Sequence, residues 1–107
     1  MNHIKESFEK AKGRFDREAA NGFSAIFQLL ISDGGDYYQV ISNGECKYFP
    51  GLHDSADVTL ILNQATLLSV LNGELDGAQA FAFGQVKVDG DLRLAKKMLE
   101  LFPHCSN

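Results

Sequence analysis

The sequence predicts an α+β domain in which helices cover one face of a mixed five-stranded sheet. Three observations lead there. The chain opens on an amphipathic segment, with Ile4, Phe8, Ala11, Phe15 and Ala19 at spacings of four, three, four and four. Turn signals at 33–36 and 43–44 then cut a strongly apolar run into three short strands. After residue 56, two further strand-like runs are separated and followed by helical ones.

Taken in order, the first helix is expected over 2–19, with Asn21-Gly22 ending it. FSAIFQLLIS (23–32) sets Phe23, Ala25, Phe27, Leu29 and Ile31 on one strand face, while Ile26 and Leu30 add apolar weight to the other, as in an interior strand. DGGD (33–36) turns the chain into YYQVIS, and Asn43-Gly44 turns it again into ECKYF (45–49), completing a meander. Pro50-Gly51 and LHDSA break the pattern before DVTLIL (57–62) alternates once more. Asn63 is a suitable N-cap and Gly73 a suitable C-terminal stop for QATLLSVLN, Asp76 for the short helix through AQAFAF. Gly84 releases the chain into QVKVD (85–89), Asp91 caps LRLAKKMLELF, and Pro103 stops that helix. The fourth and fifth strands, joined through helices, are expected to lie parallel.

The 107 residues suit one domain, 1–107, with 103–107 as a loose tail. A net charge of −4 argues against nucleic acid, which needs clustered Lys and Arg, and gives no general pull toward anionic membranes. Cys46 and Cys105 form no C-x-x-C pair, and the charged N-terminal stretch holds no signal-peptide core. A reducing, cytoplasmic setting is the expectation.

The helices after residue 63 carry more apolar surface than one sheet face requires. Leu92, Leu94, Ala95, Met98, Leu99, Leu101 and Phe102 spread over roughly half the helical wheel, where a surface helix needs a stripe of about 100°. Ala65, Leu67, Leu68, Val70 and Leu71 are similarly spread, and AQAFAF lies between the two helices. Such segments pack on one another, pair with another subunit, or enclose a cavity, and the pattern does not separate these outcomes.

From residue 56 to 102 the pieces Ala56-Asp57-Val58-Thr59, Asn72-Gly73-Glu74-Leu75-Asp76, Ala80-Phe81, Gly84-Gln85-Val86-Lys87-Val88 and Gly90-Asp91-Leu92 follow one another in a distinctive order. This arrangement resembles the C-terminal half of the sterol-carrier-protein family of lipid-binding domains; the first helix matches less well. The resemblance implies a hydrophobic tunnel between sheet and helices that takes sterols, fatty acids, acyl-CoA or other lipids, with no catalytic residue, no cofactor and no metal. It places the rings of Phe81 and Phe83 in the tunnel wall and floor, with Met98, Leu99 and Phe102 above. Phe27, Leu29, Leu68 and Leu71 complete the expected lining. Family members frequently carry a glutamine where this chain has Phe83, which shifts the expectation toward a more fully apolar ligand or a smaller cavity. Peroxisomal members end in an S-K-L-like signal and this sequence reads PHCSN, which suggests a prokaryotic source. The family's closing helix often serves as a lid, and here the last helix is read as tethered at one end only.

The polar candidates have plainer explanations. His3, His53 and His104 stand in separate segments without metal-ligand spacing. Ser24, Ser32 and Ser55 lack a nucleophile-elbow context, and Cys46 has nothing nearby in sequence to lower its pKa. Asp33, Asp36, Asp54 and Asp57 suit turns and caps. Arg93, Lys96 and Lys97 form the polar face of the last helix and would meet a lipid headgroup at a tunnel entrance. Two functions follow: non-enzymatic binding or transfer of an apolar lipid (fatty acyl, sterol-like or isoprenoid-quinone-like), with transient membrane contact, or an accessory protein. In the second, the apolar helices form a homodimer or dock onto an enzyme of lipid or quinone synthesis.

Overall fold

The computed structural model describes residues 3–101. Helix α1 (His3–Arg14) is followed by β1 (Ala25–Ile31), β2 (Tyr37–Ser42), β3 (Glu45–Pro50) and β4 (Val58–Leu62). Helices α2 (Gln64–Leu71) and α3 (Gly77–Ala82) lead to β5 (Lys87–Gly90) and α4 (Leu92–Glu100). The five strands form one sheet in the order β3-β2-β1-β4-β5. It is mixed, because β1 and β4 run parallel while the other neighbours are antiparallel.

The expected α+β architecture is therefore present, with two corrections. β4 and β5 pair antiparallel rather than parallel. One helix between two strands reverses the chain once and delivers a parallel neighbour, whereas α2 and α3 in succession reverse it twice. The parallel pair is instead β1 with β4, with the β2–β3 hairpin between them in sequence. The first helix also stops at Arg14, not at 19. The Asp16 carboxylate accepts from Ala19 N at 3.0 Å, starting a separate turn in which Ala20 is fully buried. Phe102, Pro103 and the expected tail lie outside the described residues.

Alternation decides which residues face the helices. Phe27 pairs with Gln39 on one side and Val58 on the other, and Gln39 pairs with Tyr48. Two residues along, Leu29 pairs with Leu60, and Leu60 with Val88. These rows point under the helical layer. Ile4, Phe8 and Ala11 seal α1 onto the same core, with Phe8 stacked on Tyr48 at 4.0 Å and edge-on to Tyr37 at 5.0 Å. α1 packs on β3 and α2, while α4 lies over β4 and β5. On the opposite face Gln28 is buried under the 51–56 loop. Its Nε2 donates to Tyr37 O and Gly51 O, and its Oε1 accepts from His53 N.

The capping residues act as the sequence suggests. Asn63 Oδ1 accepts from Thr66 N, Asp76 Oδ1 from Ala78 N, and Asp91 Oδ1 from Arg93 N, all at 2.8–2.9 Å. Gly73 takes the left-handed conformation (φ 78°) that ends α2. Three of the aspartates that cluster in sequence are backbone acceptors: Asp33 for Gln64 N, Asp36 for Ile31 N and Asp57 for Ile26 N. Among the described residues no group of three metal-ligating side chains converges, and no helix is long and apolar enough to cross a membrane.

Gly90 closes β5 against Val58 with φ at 130°, and an added Cβ would sit 3.0 Å from Asp57 O and 3.2 Å from Val58 Cα. Gly90→Ala is expected to destabilise the domain by about 1–3 kcal/mol or more through forced backbone strain, read as a lower urea midpoint at unchanged slope.

Candidate functional site

Between the helices and the sheet lies an apolar cavity of about 90 Å³. All five strands contribute to it: Tyr48 from β3, Gln39 from β2, Leu29 from β1, Leu60 and Leu62 from β4, and Val88 from β5. From above, α2 supplies Leu67, Val70 and Leu71, α3 supplies Phe81, and α4 supplies Ala95 and Met98. α1 closes the β3 side with Ala11 and Arg14. Phe81 and Leu92 both line the space and are 37% and 47% exposed, so the cavity approaches the surface between α3 and the start of α4.

Of the residues expected at the site, Leu29, Leu71, Phe81 and Met98 do line it. Phe27 is wholly buried and packs near Phe23, with ring centroids 6.5 Å apart, so it supports the floor from within the core. Leu68 packs against the core outside the cavity. Phe83 is the clearest departure. It is the C-cap of α3 and 76% exposed, so it neither plugs nor lines the space. Phe83 lies two residues after Phe81, and two residues rotate a helix by roughly 200°, so both rings cannot point inward. The Leu99 side chain and Phe102 lie outside the described residues.

The last helix is also held more firmly than the sequence suggests. Leu101 is fully buried, and its carbonyl accepts from Asp16 N at 2.8 Å. The exposed end is the beginning of α4, at Leu92.

Sequence reasoning missed the polar side of the cavity. Arg14 donates from one guanidinium nitrogen to Val70 O at 3.0 Å and Leu71 O at 2.6 Å, satisfying carbonyls at the end of α2. Gln39 is 3% exposed, donates to Tyr48 Oη at 2.8 Å and makes a longer 3.6 Å contact with Cys46 Sγ. Its Oε1 is buried without a hydrogen-bond partner. A signal for Gln39 was available: strict alternation in YYQVIS places it on the same face as Tyr37 and Ile41. Arg14, three residues beyond Ala11, falls on the buried side of α1 in the same way.

Burial pushes the Cys46 thiol up to about 11, only partly offset by its hydrogen bonds with Tyr48 and Gln39. Burial likewise raises the Tyr48 phenol well above its ordinary value, and the neighbouring Cys46 raises it further. The Cys46 thiol and the Tyr48 phenol are therefore both neutral at pH 7. A folded pKa above the unfolded one means stability is complete below the unfolded thiol value and is lost as pH rises toward 11. The free energy of unfolding is expected to fall by roughly 2–3 kcal/mol between about pH 9 and 11 from Cys46, read from denaturant midpoints across that range. Cys46→Ala should show a shallower alkaline fall over the same range.

Comparison with known proteins agrees with this architecture. The sequence model of the SCP-2 sterol transfer family matches residues 2–103. The rat hydroxysteroid dehydrogenase-like protein 2 is 26% identical over 107 residues, covering 97% of this chain and 20% of that protein. The chain thus spans about a fifth of the length of that much larger relative. Among solved structures, the stereoselective inverting sec-alkylsulfatase Pisa1 from Pseudomonas sp. contains a region matching 92% of this chain and 16% of its own, at 28% identity and a TM-score of 0.77. Palmitated SCP2L2 from Aedes aegypti matches 96% of this chain and 98% of its own, at 23% identity and a TM-score of 0.71.

Proposed function

We propose that this chain, which belongs to the SCP-2 sterol transfer family, binds a single-chain apolar lipid non-enzymatically between its helices and sheet. The observation that carries this reading is the cavity itself, lined from all five strands, by aliphatic side chains on β1, β4 and β5 and by Gln39 and Tyr48 on β2 and β3, and roofed by α2, α3 and α4. A structural neighbour with palmitate supports a ligand with one long hydrocarbon chain. The apolar walls leave hydrophobic burial to supply the affinity. Ten buried methylenes contribute on the order of 8 kcal/mol, and ordering and association costs of about half that leave micromolar to millimolar binding.

A volume of about 90 Å³ is well below the roughly 300–1,000 Å³ of ordinary ligand pockets, so the ligand must spread the helical layer apart. The short α3, with Phe81 at the surface end of the cavity, is the natural gate, since the far end of α4 is anchored through Leu101. The exposed Phe83 and Leu92 flank that entrance and suit brief contact with a membrane surface during loading, from a cytoplasmic pool of protein. A second reading, as a dimer or an accessory to a lipid- or quinone-synthesis enzyme, draws on apolar residues of the uncovered side, where Leu52 is 69% and Phe49 39% exposed. Sedimentation at low concentration separates the two, since the carrier reading requires only a monomer.

Delipidated protein is expected to take up one palmitate per chain in a calorimetric titration, and no uptake would end the lipid reading. Ala95→Phe, which fills the space below α4, should weaken uptake by about tenfold or more while the circular dichroism spectrum is retained, at a packing cost of about 1–3 kcal/mol. Phe83→Gln should leave affinity within about twofold, because a ring that is 76% exposed contributes little buried contact. Amides of α3 should exchange hydrogen faster than those of β1 and slow when palmitate is added.

A further inference from the structure

The inward end of the cavity contains a polar pair that an all-apolar ligand would not use. Gln39 and Tyr48 are direct cross-strand partners under α1. Both hydrogens of the Gln39 amide are engaged, one by Tyr48 Oη at 2.8 Å and one by Cys46 Sγ at 3.6 Å. Gln39 Oε1 accepts nothing, in a side chain that is 3% exposed and lines the cavity. A buried amide oxygen left without a donor is unfavourable, and native interiors rarely leave one so. Arg14, which also lines the cavity, already donates to Val70 O and Leu71 O.

We infer that Gln39, held by Tyr48, is a head-group subsite for an uncharged lipid bearing a hydroxyl, which enters head first and donates its proton to Gln39 Oε1. The inference rests on the lipid-binding reading and names the ligand's polar end. From β2, where Gln39 sits, to β5, where Val88 lines the far side, is three strand spacings, or roughly 14 Å. That length suits an extended chain of about ten carbons lying across the strands, with its tail toward Phe81 and Leu92. A carboxylate, which has no proton to donate, would bring negative charge against an acceptor oxygen and lose its own hydration.

The test compares three probes of equal chain length on the full chain: 1-decanol, its methyl ether, and decanoate at pH 8. Calorimetry is expected to show 1-decanol binding about tenfold more tightly than the ether, which keeps the oxygen but has no proton to donate. Decanoate should bind more weakly than the alcohol. In Gln39→Met, which keeps the side-chain shape, the alcohol and ether should converge to within about twofold. The comparison on the unaltered chain needs no variant, so a misfolded Gln39→Met would not remove the test. Equal binding of alcohol and ether, or preference for decanoate, would overturn the head-group subsite while leaving lipid binding intact. No binding by any probe, palmitate included, would overturn both.

Discussion

The parallel pairing of β1 with β4 is the constraint on which the rest of this molecule depends. Asp57 holds the two strands in register from one end, its carboxylate accepting from Ile26 N at 2.7 Å and its own N–H donating to Ile26 O at 2.8 Å. With that register set, Phe27 meets Val58, Leu29 meets Leu60 and Ile31 meets Leu62, all turned toward the helices. The meander can then extend only on the β1 side, and β5 only on the β4 side. The result is a sheet whose centre is its most apolar part, with Tyr48 and Gln39 toward one side and the open α3 end toward the other.

The helical layer meets this floor imperfectly. α1 seals the β3 side with Phe8 and Ala11, and α4 lies over β4 and β5 with Ala95 and Met98. Between them α2 is attached partly through Arg14, whose guanidinium reaches the carbonyls of Val70 and Leu71. Most of the surplus apolar surface of these helices is absorbed by packing against one another and against the strands. The remainder lines a small cavity or, at Phe83 and Leu92, faces outward. On the carrier reading proposed above, a ligand exchanges helix–sheet contacts for helix–ligand contacts, with α3 as the moving part.

Neutral buried polar groups fit that picture. Burial keeps Cys46 and Tyr48 uncharged, and Gln39 donates to both of them at the β3 side of the cavity. Burial pushes the thiol away from the reactive thiolate form. Some of the larger relatives bear the names of enzymes, among them the rat hydroxysteroid dehydrogenase-like protein 2, of whose length this chain corresponds to about a fifth.

Local order was legible in the residues alone wherever a short-range rule governs. Asn63, Asp76 and Asp91 begin their helices because each offers an oxygen to a backbone N–H two or three residues ahead. Strand alternation and the Asn43-Gly44 turn set out the meander, and the ordered pieces from Ala56 to Leu92 named the family. Long-range geometry was not legible. The direction of β5 depended on two helices reversing the chain twice, and which of Phe81 and Phe83 turns inward depended on how α3 packs. Leu101 became an anchor through a bond to Asp16, 85 residues earlier in the chain. The unpaired oxygen of Gln39 exists only because folding places β2 beneath α1 and excludes water there. Pattern records which residues share a face, but the space left between two faces follows from how their side chains interlock.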